Sequence, residues 1–176
     1  MPLNGRELPA FCLSLLLNYM DKFYSPQGKS FTYEQLLKEV ILFIKKDPEK
    51  HYKIIIGTDS ANHGTTDFVS AIVIYRVGHG GRFFWRRITT KNKIINLRNR
   101  IYKEVMMSLK LASEVLFNLS QDKNLKFDFE VHVDIGSQGE TRTMLQEIIG
   151  MVRGSGFEVK TKPESYGASK VADRYT

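Results

Sequence analysis

Four acidic residues stand where a chain seldom leaves a carboxylate without a use. Asp59 closes the run "KIIIGTD", in which three isoleucines mark a buried strand. Asp134 closes a second apolar run, "FDFEVHVD". Glu104 falls three residues after Ile101 and four before Ser108, spacings that set it on or beside the inward face of a helix. Asp173 follows Val171 and Ala172 in the last helical segment. Singly, each has an ordinary explanation. A strand-end acid caps a turn, Glu104 pairs with Arg100 or Lys103, and Asp173 sits in solvent. Four such acids from four elements of one domain are harder to explain that way, because gathered carboxylates repel unless a cation joins them. Oxygen ligands from separate elements suit Mg²⁺ or Mn²⁺. Two such ions about 4 Å apart activate a water and stabilise the leaving oxygen in phosphodiester hydrolysis.

Neighbouring residues are candidates for supporting roles. Ser60 follows Asp59 directly, and His132 lies two before Asp134, on the same strand face by the period of two. His132 is a candidate proton shuttle, with an ordinary strand histidine as the alternative. Lys162 and Lys170 are candidates to offset the acids or to neutralise a substrate phosphate, with solvated surface lysines as the alternative. Gly136 and Gly139 in "DIGSQGETR" suit a tight turn from strand to helix. The full glycine-rich phosphate-loop pattern is missing.

The elements that must position these residues can be read from periodicity and punctuation. Helices are expected over 7–24 and 32–46, the second opened by Thr32 and Gln35 at capping-box spacing and closed before Pro48. Extended runs follow at 53–59, 67–77 and 81–90, with "GHGG" as the hairpin signal between the last two. A long helix is expected from Asn96 to Asn118, a strand ending at Asp134, a helix over 140–152, a strand "FEVKTKP" and a short terminal helix. No internal repeat or low-complexity tract interrupts this order.

The 176 residues are 42% apolar and 26% charged, as in ordinary globular domains. One cysteine, Cys12, excludes an internal disulfide framework and fits a reducing, cytoplasmic setting. The apolar run "FCLSLLLNYM" is about half of what a membrane span needs and lacks a signal-peptide pattern. The net charge of +7 is concentrated between Arg82 and Lys110, where nine basic residues face one acid, Glu104. Arg82, Arg86, Arg87, Lys91, Lys93, Arg98 and Arg100 are the candidate nucleic-acid contacts, with Phe83, Phe84, Trp85 and Tyr102 interleaved for stacking. A solvated basic face is the alternative reading.

This order of elements, with acids at Asp59, Glu104, Asp134 and Asp173, resembles the ribonuclease H-like superfamily. There a three-stranded antiparallel meander precedes alternating helices and parallel strands. More narrowly, "YKIIIGTDS", "RIYKEVMMSL", "VHVDIGSQGETR" and "KPESYGASKVADRYT" are similar to the YkuK-like family of bacterial ribonuclease H-like proteins. The resemblance implies an α/β fold with a mixed five-stranded sheet of three antiparallel and two parallel strands, flanked by helices. It divides the chain into an N-terminal helical extension, 1–50, and a ribonuclease H-like domain, 51–176. It also implies that Asp59, Glu104, Asp134 and Asp173 are the catalytic and metal-binding residues of a nuclease acting on RNA or structured DNA. Two alternatives stand beside it: a non-catalytic nucleic-acid binder that keeps the fold, and an actin-like ATPase, which needs a second such domain, as in a homodimer. Two departures from the pattern stand out. The last helix is short and ends almost at once after Asp173, which leaves that acid weakly pinned, and no loop matches the basic handle of hybrid-cleaving ribonucleases.

Overall fold

A computed structural model describes residues 22–139 and 141–176, and for residues 166–169 the backbone alone. Cys12 and most of the helix expected over 7–24 lie outside the described residues. Phe23 and Tyr24, the end of that expected helix, form a short strand instead.

In chain order the elements are β1 (Phe23–Tyr24), β2 (Ser30–Phe31), α1 (Tyr33–Lys46), β3 (Tyr52–Asn62), β4 (Thr66–Arg76) and β5 (Gly81–Thr89). Then come α2 (Leu97–Leu119), β6 (Asp128–His132), a 3₁₀ turn (Arg142–Met144), α3 (Leu145–Gly154), β7 (Glu158–Lys160) and α4 (Tyr166–Asp173). The strands make one sheet in the order β2-β1-β5-β4-β3-β6-β7. It has seven strands rather than the expected five. The two extra strands are two residues each and form a hairpin that joins the sheet where Tyr24 pairs with Trp85. Strands so short carry no periodicity that a sequence pattern could reveal.

The rest of the sheet follows the expected plan. β3, β4 and β5 form an antiparallel meander, and β6 and β7 add parallel to β3. The capping box of α1 is formed: Thr32 Oγ1 accepts from the Gln35 amide at 3.2 Å, and Gln35 Oε1 accepts from the Thr32 amide at 2.9 Å. Two strands are shorter than their patterns suggested. β6 ends at His132, two residues before Asp134, and β7 spans three residues.

Strand alternation assigns the two faces. Ile54, Ile56 and Val131 face α1, α2 and α3 in the main core. Ile55, Gly57 and Asp59 face the other way. Their register partners include Ala71 and Val69, which pack against Ala172 of α4 in a smaller cluster. This second face positions the first acid. No helix among the described residues is long and apolar enough to cross a membrane.

Candidate functional site

β3 pairs with β4 along all of its length but with β6 only as far as Gly57 opposite His132. Past that point their pairing ends. In open α/β sheets ligands bind in the crevice outside the carboxyl ends of the strands. Asp59 stands at that end of β3, half-buried, and Asp134 follows β6 at the same end. The segment after β6 stays beside the segment after β7 through backbone hydrogen bonds from the Val133 amide to the Lys160 carbonyl (2.9 Å) and from the Lys162 amide to the Ile135 carbonyl (2.8 Å). Gly136 permits the close approach, since a Cβ there would stand 3.2 Å from Lys162 Cβ. Gly139 turns the chain at φ +77, a conformation that favours glycine.

Glu104 reaches the crevice from α2. The helix is tied to the sheet one turn further on, where Ser108 Oγ donates to Thr58 Oγ1 at 3.0 Å and Thr58 meets Ser70 at 2.9 Å. Glu104 itself is 6% exposed and accepts a 2.5 Å hydrogen bond from Ser60. Asp173, the last residue of α4, is exposed at the same end.

Asp59 and Glu104 are held in raised states by burial and by neighbouring acids. Burial pushes the Asp59 carboxyl up to about 6; a hydrogen bond from the Ser60 amide opposes this, while Asp134 and Asp173 push it further up. Burial pushes Glu104 up to about 8 against the Ser60 hydrogen bond, with Asp59 and Asp134 adding to the rise. The positive charge of Arg100 works against the rise at both carboxyls. Lys162 pairs with Asp134 Oδ2 at 2.9 Å, while Asp134 Oδ1 is buried without a hydrogen-bond partner. Among the described residues, no three His, Cys, Asp or Glu side chains lie close enough together to hold an ion. Glu104 is drawn to Ser60 and Asp134 to Lys162, and bare carboxylates repel. Carboxylate oxygens are nevertheless the ligands a hard divalent cation prefers, and Asp134 keeps one buried oxygen without a hydrogen bond.

The supporting candidates divide. Ser60 donates to Glu104 through its hydroxyl and to Asp59 through its amide, and Lys162 pairs with Asp134. Lys170 is exposed on α4. His132 is buried and meets Glu130 at 3.0 Å rather than Asp134; Glu130 in turn accepts from Lys53 at 2.7 Å. Burial holds the His132 imidazole below its ordinary range, and Glu130 opposes that. Burial works to raise Glu130, but hydrogen bonds from Lys53 and His132 leave it lowered. This charged chain was legible only in part, as the same-face pair Glu130 and His132 in "FEVH".

The basic block is split by the sheet. Lys91 and Lys93 are exposed in the loop after β5. That loop is strapped to the carboxyl end of β3 by Asn62 to the Ile94 carbonyl (3.3 Å) and by the Ile94 amide to Thr66 (2.7 Å). Arg98 and Arg100 open α2 at this end, with Arg98 paired to Glu147 at 2.8 Å. Arg82 sits at the opposite end of the sheet, paired with Glu39 at 3.2 Å. Arg87 donates to the Tyr175 carbonyl. Arg86, expected among the nucleic-acid contacts, is only 5% exposed, with its guanidinium over the Phe23 ring. The β5 alternation that exposes Arg87 turns Arg86 into the core.

A family model described as Ribonuclease H-like matches residues 35–176. The chain belongs to the ribonuclease H-like family. Within it, the chain is 32% identical over 165 residues to the uncharacterized protein YkuK of Bacillus subtilis strain 168, covering 88% of this chain and 96% of YkuK. It is a YkuK-like ribonuclease H-like protein. Family membership points to a nucleic-acid-related role and agrees with the meander-plus-parallel sheet, but fold membership alone does not identify a reaction.

Proposed function

We propose that this protein is a metal-dependent nuclease that hydrolyses phosphodiester bonds in RNA or structured DNA by a two-metal-ion mechanism. The observation that carries this reading is the influence of Asp134 and Asp173 on Asp59, and of Asp59 and Asp134 on the buried Glu104, at the carboxyl ends of β3 and β6. Asp59, Glu104, Asp134 and Asp173 would hold the Mg²⁺ or Mn²⁺ ions. Divalent ions held there supply an activated water and neutralise charge on the phosphate. Ser60 would orient Glu104 through its hydroxyl and Asp59 through its amide. Lys162 would hold Asp134 so that its second oxygen faces inward. Arg100, Lys91 and Lys93 supply positive charge for the phosphate backbone at the same end of the sheet.

The test is cleavage of single-stranded RNA, RNA–DNA hybrid, duplex DNA and branched DNA with Mg²⁺ or Mn²⁺. Activity that disappears in Asp59→Asn supports the reading. Equal inertness of wild type and Asp59→Asn across the panel sinks it.

A second reading, a non-catalytic nucleic-acid binder, is favoured by one observation: no three metal-capable side chains converge among the described residues. It requires nucleic-acid binding that is unchanged by chelators and by Asp59→Asn.

A further inference from the structure

Asp173 is an exposed residue at the end of an eight-residue helix. A helix of two turns is not stable by itself in water, so its placement must come from contacts elsewhere. One contact is Ala172, fully buried against Val69 and Ala71. Another lies beyond the helix. Past Asp173 the chain makes one more turn, with the Tyr175 amide on the Ala172 carbonyl at 2.9 Å and the Thr176 hydroxyl on the Asp173 carbonyl at 2.8 Å. That turn brings the Tyr175 ring flat onto Trp85, at 4.5 Å between centroids and 15° between planes. Phe83 meets the same ring at 6.1 Å, and Arg87 donates to the Tyr175 carbonyl. Phe83, Trp85 and Arg87 are alternate residues of β5, so one face of one strand forms a seat for one residue.

We infer that Tyr175, stacked on Trp85, is a positioning residue that latches the chain end to β5 and thereby holds Asp173 toward Asp59. The assignment of Asp173 as a ligand rests on the reading proposed above; the latch itself does not. The aromatic stack two residues past the acid does the holding. Trp85 is the single tryptophan of the chain, which gives the seat its own optical signal.

The test compares the full chain with Tyr175→Ala, Tyr175→Phe and Asp173→Asn. Amide exchange over 166–173 is expected to rise at least about tenfold in Tyr175→Ala, with β3 and β4 unchanged and Trp85 emission altered. Tyr175→Phe, which keeps the ring, is expected to match wild type in both. Unchanged exchange in Tyr175→Ala overturns the latch, and so does a Tyr175→Phe variant as loose as the alanine. Mn²⁺ titration then reads the link to Asp173. Tyr175→Ala should weaken Mn²⁺ binding by about tenfold, in the range found when a supporting partner of a ligand is lost. It should add little when Asp173→Asn is already present. Fully additive losses overturn the positioning role. If wild type binds no Mn²⁺, the metal reading fails, Asp173 loses its role as a ligand, and the exchange result still decides the latch.

Discussion

The Ser60 hydroxyl donates a 2.5 Å hydrogen bond to Glu104 Oε1, tying α2 to β3 at the residue next to Asp59. Two acids on different elements are thereby served by one residue, its hydroxyl on Glu104 and its amide on Asp59. Replacing Ser60 with alanine removes the hydroxyl bond that pulls Glu104 down, so its affinity for a proton should rise further. We expect Ser60→Ala to cost about 1 kcal/mol of stability and to move any pH optimum of cleavage upward, both measurable by thermal melts and a pH–rate profile. An optimum moved downward would count against the assigned role.

Raised carboxyls make the metal-free protein less stable as pH rises. The folded chain holds protons that the unfolded chain has released, over the interval from the ordinary carboxylate range to about 6 for Asp59 and about 8 for Glu104. Stability from these groups is therefore full at low pH and is lost as pH climbs through that interval. The melting temperature of wild type should fall relative to Glu104→Gln between pH 5 and pH 8, in the presence of chelator. Parallel profiles would remove the basis for the shift.

Cation binding should displace those same protons. Calorimetric titration with Mn²⁺ near neutral pH, repeated in buffers of different ionisation enthalpy, should show net proton release from wild type. Glu104→Gln should release less. A wild-type heat that does not depend on buffer would contradict the raised Glu104.

Function at this crevice should come at the expense of stability. Asp59→Asn is expected to abolish cleavage while raising the melting temperature of the chelated protein, because it removes a half-buried charge that faces Asp134 and Asp173. The buried chain on the same face should behave in the opposite sense. Glu130→Ala leaves Lys53 and His132 without their shared partner, and should destabilise by about 3 kcal/mol in chemical denaturation. A milder loss would mean that Lys53 escapes to solvent.

Nucleic-acid binding should discriminate among the basic residues. Lys91→Ala with Lys93→Ala should weaken binding across sequences and reduce the slope of log affinity against log salt by about 1 for each lysine. Arg86→Ala should instead lower the melting temperature, since its guanidinium packs on Phe23 inside the protein. Salt-dependent filter binding and thermal melts separate the two effects.

Much of this molecule was legible in the linear chain because its signals are local. The capping box at Thr32 and Gln35, the apolar stripe of α2, the meander and its hairpin glycines all rest on residues a few positions apart. Asp59 and Asp134 were marked by their place at the ends of apolar runs for the same reason. Other features depend on which elements become neighbours, and no local pattern encodes that. The two-residue strands β1 and β2 exist only because β5 offers an edge. Arg86 is buried and Arg87 exposed because Phe23 and α2 cover one face of β5 and Tyr175 the other. Lys162 was only one candidate among surface lysines until the backbone of 133–136 was laid beside 160–162. Asp173 had no visible support, because its support comes from Trp85, ninety residues back in the chain and 4.5 Å from Tyr175 in space. The sequence by itself marked Asp59, Glu104 and Asp134 by their places on apolar elements. Only the tertiary structure decided that Asp134 and Asp173 act on Asp59, because electrostatic coupling depends on separation in space rather than along the chain.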